Sequence, residues 1–143
     1  MILAAVLAAG VVTAPMPPQD DTNSGTPPWA TEAWQDFAAH IVASEARGVP
    51  QADKVVACML VRDIERGWHP WALRGRWFGW GTPDARDRRA VADALQDCSD
   101  VPDYRYVGNV RDVHLWRSRG MVGPGPLDLY VGRGGQTVVG VPW

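Results

Sequence analysis

Among the acidic residues, Glu45 has the position in the sequence that most favours proton donation. It lies four residues after Ile41 and eight after Phe37, so on a helix that turns about 100° per residue it falls at the edge of their apolar stripe. It also lies in the last turn of the predicted helix, where the negative end of the helix dipole disfavours another negative charge. Burial and the dipole both raise the pKa of a carboxyl group. An acid that stays protonated near neutral pH can donate a proton to a leaving oxygen.

An alternative interpretation makes Glu45 a structural ion-pair partner of Arg47, or of Arg62 or Arg66 on the next helix. The other acids have ordinary explanations. Glu32 suits the start of a helix, and Glu65 lies in a charged run, residues 62–66, that we interpret as a solvated face. Capping or surface positions account for four aspartates: Asp53, Asp63, Asp84 and Asp87. The sequence therefore marks no second carboxylate for catalysis.

Two helices joined by a tight turn must position Glu45. The first is predicted from Thr31, a capping residue type, to Arg47, and the second from Pro50 to Arg66, with Gly48 between them. Their apolar stripes are Trp34, Phe37, Ala38, Ile41 and Val42 in the first helix, and Val55, Val56, Met59, Leu60 and Ile64 in the second. The pattern predicts an antiparallel helical pair.

The rest of the chain combines a loop, a third helix and short strands. Residues 68–82 hold several Trp and Gly with no steady period, which indicates an aromatic loop with at most one helical turn. The third helix is predicted to begin with Thr82 as its cap and Pro83 in its first position. Residues 104–108 and 129–139 are β-prone, and Arg133-Gly134-Gly135 is typical of a hairpin tip.

Composition indicates one soluble domain without nucleic-acid or membrane partners. The chain has 143 residues, 46% of them hydrophobic and 21% charged, and no apolar run approaches the about 18 residues of a membrane span. The net charge of −2 leaves no excess positive field for nucleic acid. All basic residues except Lys54 are Arg, which suits acidic ligands but is equally well explained by codon usage. Eight Trp residues fill cores or stack on sugars.

The N-terminal region favours export. Residues 1–14 are almost wholly apolar and end in small residues, as in a signal peptide, although the basic start is missing. Residues 15–28 form a Pro-rich linker, so the domain spans 29–143. Cys58 and Cys98 either form one bridge or act as small buried hydrophobes. The three His residues lack metal-ligand spacing, and we expect no metal or other cofactor.

Several segments resemble the SleB-type cell-wall hydrolases, the spore-cortex-lytic group. The motif Ser44-Glu45-Ala46-Arg47-Gly48 ends one helix and precedes the helical segment 54–62, as in that family. Further along, the chain has its features in the same order as the family: Tyr104-Arg105-Tyr106, Asn109, Trp116 and the Gly-rich segment 134–138. The resemblance covers about residues 34–140. Val61-Arg62-Asp63 replaces the family's usual Leu-Asn-Arg, and the aromatic loop 68–81 differs from the family's segment.

The resemblance implies an α+β, mainly helical, lysozyme-like domain with a small C-terminal β-hairpin element, acting on peptidoglycan glycan strands. Members are lytic transglycosylases or muramidases that use the Glu of this motif as the acid, a role that falls here on Glu45. One acid alone suits lytic transglycosylation, in which the same group serves as acid and then as base. We expect a monomer located in the cell envelope or outside the cell, or held in the cytoplasm until release.

Supporting residues follow from the same hypothesis. Trp77, Phe78, Trp80 and Trp116 are candidates for stacking on sugar rings, although some of these rings are expected in the core. Tyr106 and Asn109 are candidates for contacts to the N-acetyl group, with Tyr104 on the opposite face of the strand. Arg47 is expected to orient Glu45 or to hold a stem-peptide carboxylate. The alternative function is a non-catalytic glycan-binding module on the same fold.

Overall fold

A computed structural model describes residues 25–143. The predicted signal peptide, residues 1–14, and most of the predicted linker lie outside the described residues. The elements follow one another as three α-helices with a 3₁₀ helix inserted, then a strand, a fourth helix and two strands. The α+β, mainly helical class expected from the sequence is therefore confirmed.

The first two helices form the predicted pair. Helix α1 spans Glu32–Ala46, with the Thr31 side chain capping it by accepting a hydrogen bond from the Trp34 N–H. Arg47 ends the helix in the left-handed region at φ 54°. Helix α2 spans Ala52–Glu65, two residues after the predicted Pro50, because Gln51 at φ 70° takes the N-cap position.

The aromatic segment and the third helix differ in detail from expectation. The segment contains a single 3₁₀ helix, Pro70–Gly75, capped by His69. Helix α3 spans Ala85–Gln96, and its cap is Asp84 rather than the predicted Thr82. Asp84 is the cap because its carboxylate accepts hydrogen bonds from the N–H groups of Arg86 and Asp87. In return, the Asp87 side chain accepts a hydrogen bond from the Asp84 N–H.

The C-terminal part is a three-stranded antiparallel sheet with a helix inserted between its first and second strands. Strand β1 is Tyr104–Gly108, β2 is Asp128–Val131 and β3 is Thr137–Pro142, in the order β1-β3-β2. The predicted hairpin is thus β2–β3, and β1 extends it to a sheet. Helix α4, Val110–Ser118, was not predicted from the sequence. Its capping box between Asn109 and Asp112 is the signal that marks its start.

The main core lies between α1, α2 and α3. Its largest fully buried side chains include Trp34, Ile41, Met59 and Leu60. A smaller cluster of Val113, Val122, Val139 and Val141 packs α4 onto the sheet. Cys58 and Cys98 form a disulfide that links α2 to the chain just after α3, which decides between the two alternatives left by the sequence. Among the described residues, no helix is long and apolar enough to cross a membrane.

Candidate active site

An open groove of about 410 Å³ lies beside the C-terminal end of α1. Four parts of the chain form its walls: the last turn of α1, the segment after the 3₁₀ helix, strand β1 and helix α4. Its lining residues are Glu45, Arg76, Trp77, Phe78, Tyr106, Val107, Asp112 and Trp116. The groove therefore combines two carboxyl groups with four aromatic rings.

Glu45 is half-buried in the groove wall and is held from the opposite side by a loop. Its Oε1 accepts a hydrogen bond from the Gly79 backbone N–H at 3.0 Å. A Cβ at position 79 would lie 2.6 Å from that oxygen, so only glycine allows the backbone to approach this closely. The same loop is fixed to α1 at His40, whose Nδ1 donates to the Gly81 carbonyl at 2.6 Å and whose carbonyl accepts from the Gly81 N–H.

The pKa of Glu45 is raised above its ordinary value, mainly because burial disfavours the charged form. The Gly79 hydrogen bond opposes this shift by stabilising the carboxylate. The negative charge of Asp112 raises the pKa further, and the positive charge of Arg74 lowers it. The elevated pKa expected from the sequence is thus present, with burial as the leading cause.

The alternative interpretation of Glu45 as an ion-pair residue does not hold within residues 25–143. Arg62 donates instead to the carbonyls of Cys98, Val101 and Pro102. Arg66 pairs with Asp103, and Arg47 points to another pocket. Among residues 25–143, Glu45 therefore has a polar partner but no counter-ion within 4 Å, which leaves it free to act on a ligand.

Three residues that line the groove were not predicted from the sequence: Arg76, Val107 and Asp112, of which Asp112 is the acid. Its Oδ2 accepts from the Asn109 N–H at 3.0 Å as part of the capping box of α4. The same side chain lines the groove together with Glu45. The Asn109-x-x-Asp112 spacing could have located the helix start, but only the packing of α4 onto the sheet brings this acid into the groove beside Glu45.

Four aromatic rings also line the groove. Phe78 is 78% exposed. Tyr106 and Trp116 pack against each other with ring centroids 5.2 Å apart. Gly108 makes room for this pair, because a Cβ there would lie 2.6 Å from the Trp116 ring. Exposed rings beside a carboxyl group are the surface that a sugar ring can stack on.

A buried carboxylate supports the floor of the groove. Asp63 is 1% exposed, and its Oδ2 accepts from the Trp77 Nε1 at 2.8 Å and pairs with the Arg76 Nε at 3.2 Å. The prediction that the run 62–66 is a solvated face is therefore wrong for Asp63. The helix turns this residue inward, where two groove residues satisfy its charge. Burial is the leading cause that raises its pKa, while the Trp77 hydrogen bond and Arg76 lower it.

Four residues predicted for the site do not line the groove. Tyr104 is fully buried, and its hydroxyl donates to the Asp128 carboxylate at 2.6 Å. Asn109 is occupied as the N-cap of α4, and Arg47 lines a separate pocket. Trp80 stacks on His40 with ring centroids 4.4 Å apart and does not line the groove. Trp77, Phe78, Tyr106 and Trp116 are the predicted binding residues that the fold brings together with Glu45. Trp77 is only 4% exposed and belongs to the main core, so the prediction that it stacks on a sugar ring is not met.

No protein-family model, curated protein or solved structure matches the chain. Among residues 25–143, no group of three or more His, Cys, Asp or Glu side chains is placed to hold a metal ion.

Proposed function

We propose that this chain is a peptidoglycan-degrading glycosidase with a lysozyme-like domain, exported from the cell, and that Glu45 is its catalytic acid. The observation that carries the proposal is a half-buried carboxyl group with a raised pKa and no counter-ion within the described chain, facing an aromatic groove. The disulfide Cys58–Cys98 supports export, because such bonds persist in oxidising compartments.

The preferred reaction is lytic transglycosylation. Because the Gly79 N–H occupies Oε1, the proton of Glu45 is expected on Oε2. Glu45 gives this proton to the oxygen that bridges N-acetylmuramic acid and N-acetylglucosamine, and the bond from that oxygen to C1 breaks. The resulting carboxylate then takes the proton of the sugar's 6-hydroxyl, whose oxygen bonds to C1 and closes a 1,6-anhydro ring. Water is not consumed, and Glu45 ends the cycle protonated again.

The aromatic walls supply binding in this proposal. The exposed face of Phe78 and the Tyr106–Trp116 pair offer apolar surfaces on which sugar rings stack. Asp112, from the wall formed by α4, keeps the pKa of Glu45 high through its negative charge. Asp63 is a positioning residue, since it acts on the ligand only through Trp77 and Arg76.

The decisive substitution is Glu45→Gln, tested on purified sacculi. The amide that replaces the carboxyl group retains an oxygen that can accept from the Gly79 N–H, so the fold is expected to persist, but it has no acidic proton to donate. We expect turbidity clearing to fall by about 10³-fold or more, which is the scale of losing a general acid. Glu65→Gln, at an exposed Glu at the end of α2, is the matched control and should clear sacculi normally. Unchanged clearing by Glu45→Gln would refute the proposed role.

A second candidate is hydrolysis, which the presence of Asp112 in the same groove favours. In a two-carboxylate glycosidase the second acid activates water or acts as a nucleophile. Mass analysis of the digestion products separates the two reactions, since anhydro-muropeptides indicate a transglycosylase and new reducing ends indicate a hydrolase. Retention on sacculi with no products at all would indicate the glycan-binding module instead.

A further inference from the structure

Three arginine side chains from separate elements surround one surface pocket outside the groove. Arg47 follows α1, Arg86 lies in the first turn of α3, and Arg133 lies at the tip of the β2–β3 hairpin. The pocket has a volume of about 400 Å³. Its other lining residues are Gly48, Pro50, Gly134 and Gln136. Within the described part of the chain, no acidic side chain lines this arginine pocket.

The charges of the arginine pocket are poorly compensated. Arg47 and Arg133 make no ion pair with any residue from 25 to 143, and Arg86 reaches only Asp53, at 3.6 Å and half-exposed. By contrast, Arg66, Arg76 and Arg88 elsewhere in the fold each pair with an aspartate. Arg47 and Arg133 therefore lack a matching anion among residues 25–143, and with the partly compensated Arg86 they create a local positive potential, although the net charge of the protein is −2.

Helix electrostatics account for only part of this cluster. A cation beside the C-terminal end of α1 is favoured by the negative end of the helix dipole, which explains Arg47. Arg86 lies at the opposite kind of end, in the first turn of α3, where the dipole disfavours a cation. Asp84 and Asp87 are engaged there in the capping box. The helix ends therefore do not explain why all three arginines converge.

The backbone at Arg47 has an unusual conformation for an arginine. Arg47 and Gly48 are consecutive left-handed residues, at φ 54° and 71°. Arginine is sterically disfavoured in this region, where glycine is the usual residue. Glu45 lines the groove, whereas Arg47, two residues later, lines the arginine pocket.

We infer that the arginine pocket binds an oxyanion, a carboxylate or a phosphate. Guanidinium groups match both with forked pairs of hydrogen bonds, and three of them from different elements can hold one anion from several sides. If the proposed function holds, the first source of the bound anion is a carboxylate of the peptide attached to the glycan. A phosphate of a wall polymer presents the same chemistry.

The test is an NMR titration of ¹⁵N-labelled Glu45→Gln protein, which removes cleavage from the experiment. The probes are inorganic phosphate, a muramyl peptide with free carboxyl groups, and the same peptide with those groups amidated. We expect saturable shifts of the Gly48, Gly134 and Gln136 amides with phosphate or the free peptide, and none with the amidated peptide. The responding probe identifies the source of the anion.

Variants locate the binding. Adding Arg133→Gln, or Arg47→Gln, should weaken the affinity by about tenfold, the scale of losing one charge-assisted pair. Arg119→Gln, at an exposed arginine after α4 without an ion pair in residues 25–143, is the matched control and should change nothing. No saturable shift, or equal loss with Arg119→Gln, would overturn the inference. Because the readout is binding, a protein that fails to cleave sacculi but passes this test loses only its proposed function.

Discussion

Glu45 and Asp63 are carboxyl groups whose pKa values burial raises, yet their surroundings give them different tasks. Asp63 keeps two partners, Trp77 and Arg76, and holds the groove floor together. Glu45 has one backbone partner and an open side toward the groove. An acid placed this way costs stability when it ionises, because the folded protein binds its proton more tightly than the unfolded chain does.

Because ionisation of Glu45 destabilises the folded protein, Glu45→Gln should be more stable than the wild type at neutral pH. The pKa of Glu45 in the folded protein lies above its ordinary value of 4.5. Wild-type stability therefore falls as pH rises from the ordinary pKa to the raised one, and it stays reduced at higher pH. The substitution removes the charge, so we expect its Tm to exceed that of the wild type by a few degrees near pH 7. The difference should vanish near pH 4, where both side chains are neutral.

Thermal unfolding at the two pH values checks this, with Glu65→Gln as the exposed control. A wild type more stable than Glu45→Gln at neutral pH would mean that Glu45 contributes to the fold rather than to chemistry.

At the scale of elements, the segment 78–81 acts as a strap across the end of α1. Three hydrogen bonds fix it, from Gly79 to Glu45 and in both directions between Gly81 and His40. A Cβ at Gly79 would overlap Ser44 and Glu45, and a Cβ at Gly81 would lie 3.0 Å from the Ser44 nitrogen, which is a tight contact that favours glycine there too. The strap therefore sets the environment of the acid.

Gly79→Ala tests the strap. The added methyl group overlaps Glu45 and Ser44, so we expect the loop to shift and the free energy of unfolding to fall by about 1–3 kcal/mol. Loss of the Gly79 N–H bond removes a contact that lowers the pKa of Glu45. The alkaline limb of the pH–rate profile should therefore move to higher pH.

Denaturant unfolding and the pH dependence of sacculus clearing measure these effects. Gly123→Ala is the control, because a Cβ at that position has no heavy atom within 4 Å. If Gly79→Ala matched the control in both measurements, the strap would have no influence on Glu45.

For the whole molecule, one junction connects the second and third helices to the sheet. The disulfide joins Cys58 of α2 to Cys98, 40 residues later. Arg62 donates to the carbonyls of Cys98 and Val101 at 2.8 and 2.7 Å in the same place. The strand that forms one groove wall, β1, begins just beyond this junction.

Removing the bridge should therefore lower global stability. Cys58→Ala/Cys98→Ala is expected to lose about 2–4 kcal/mol of unfolding free energy, because the unfolded chain regains the freedom of a 40-residue loop. Reductant should destabilise the wild type by a similar amount and leave the double variant unaffected. Equal sensitivity of both proteins to reductant would show that the thiols are not paired in solution.

The sequence by itself determined the features that depend on neighbours along the chain. The 3.6-residue period and the Thr31 cap located α1, the glycines located the hairpin tip, and the period placed Glu45 at the edge of a buried stripe. These signals are local, because a helix or turn is specified by residues only a few positions apart.

Only the tertiary structure decided which side chains share the groove. It brought Asp112 to Glu45, gave Asp63 its partners Trp77 and Arg76, buried Tyr104 and placed Arg47 at a different pocket. Each outcome depends on which elements far apart in the chain pack together, and residues a few positions apart do not specify those contacts. The sequence therefore predicts the candidate acid, whereas the groove that would bring a ligand to it forms only when the chain folds.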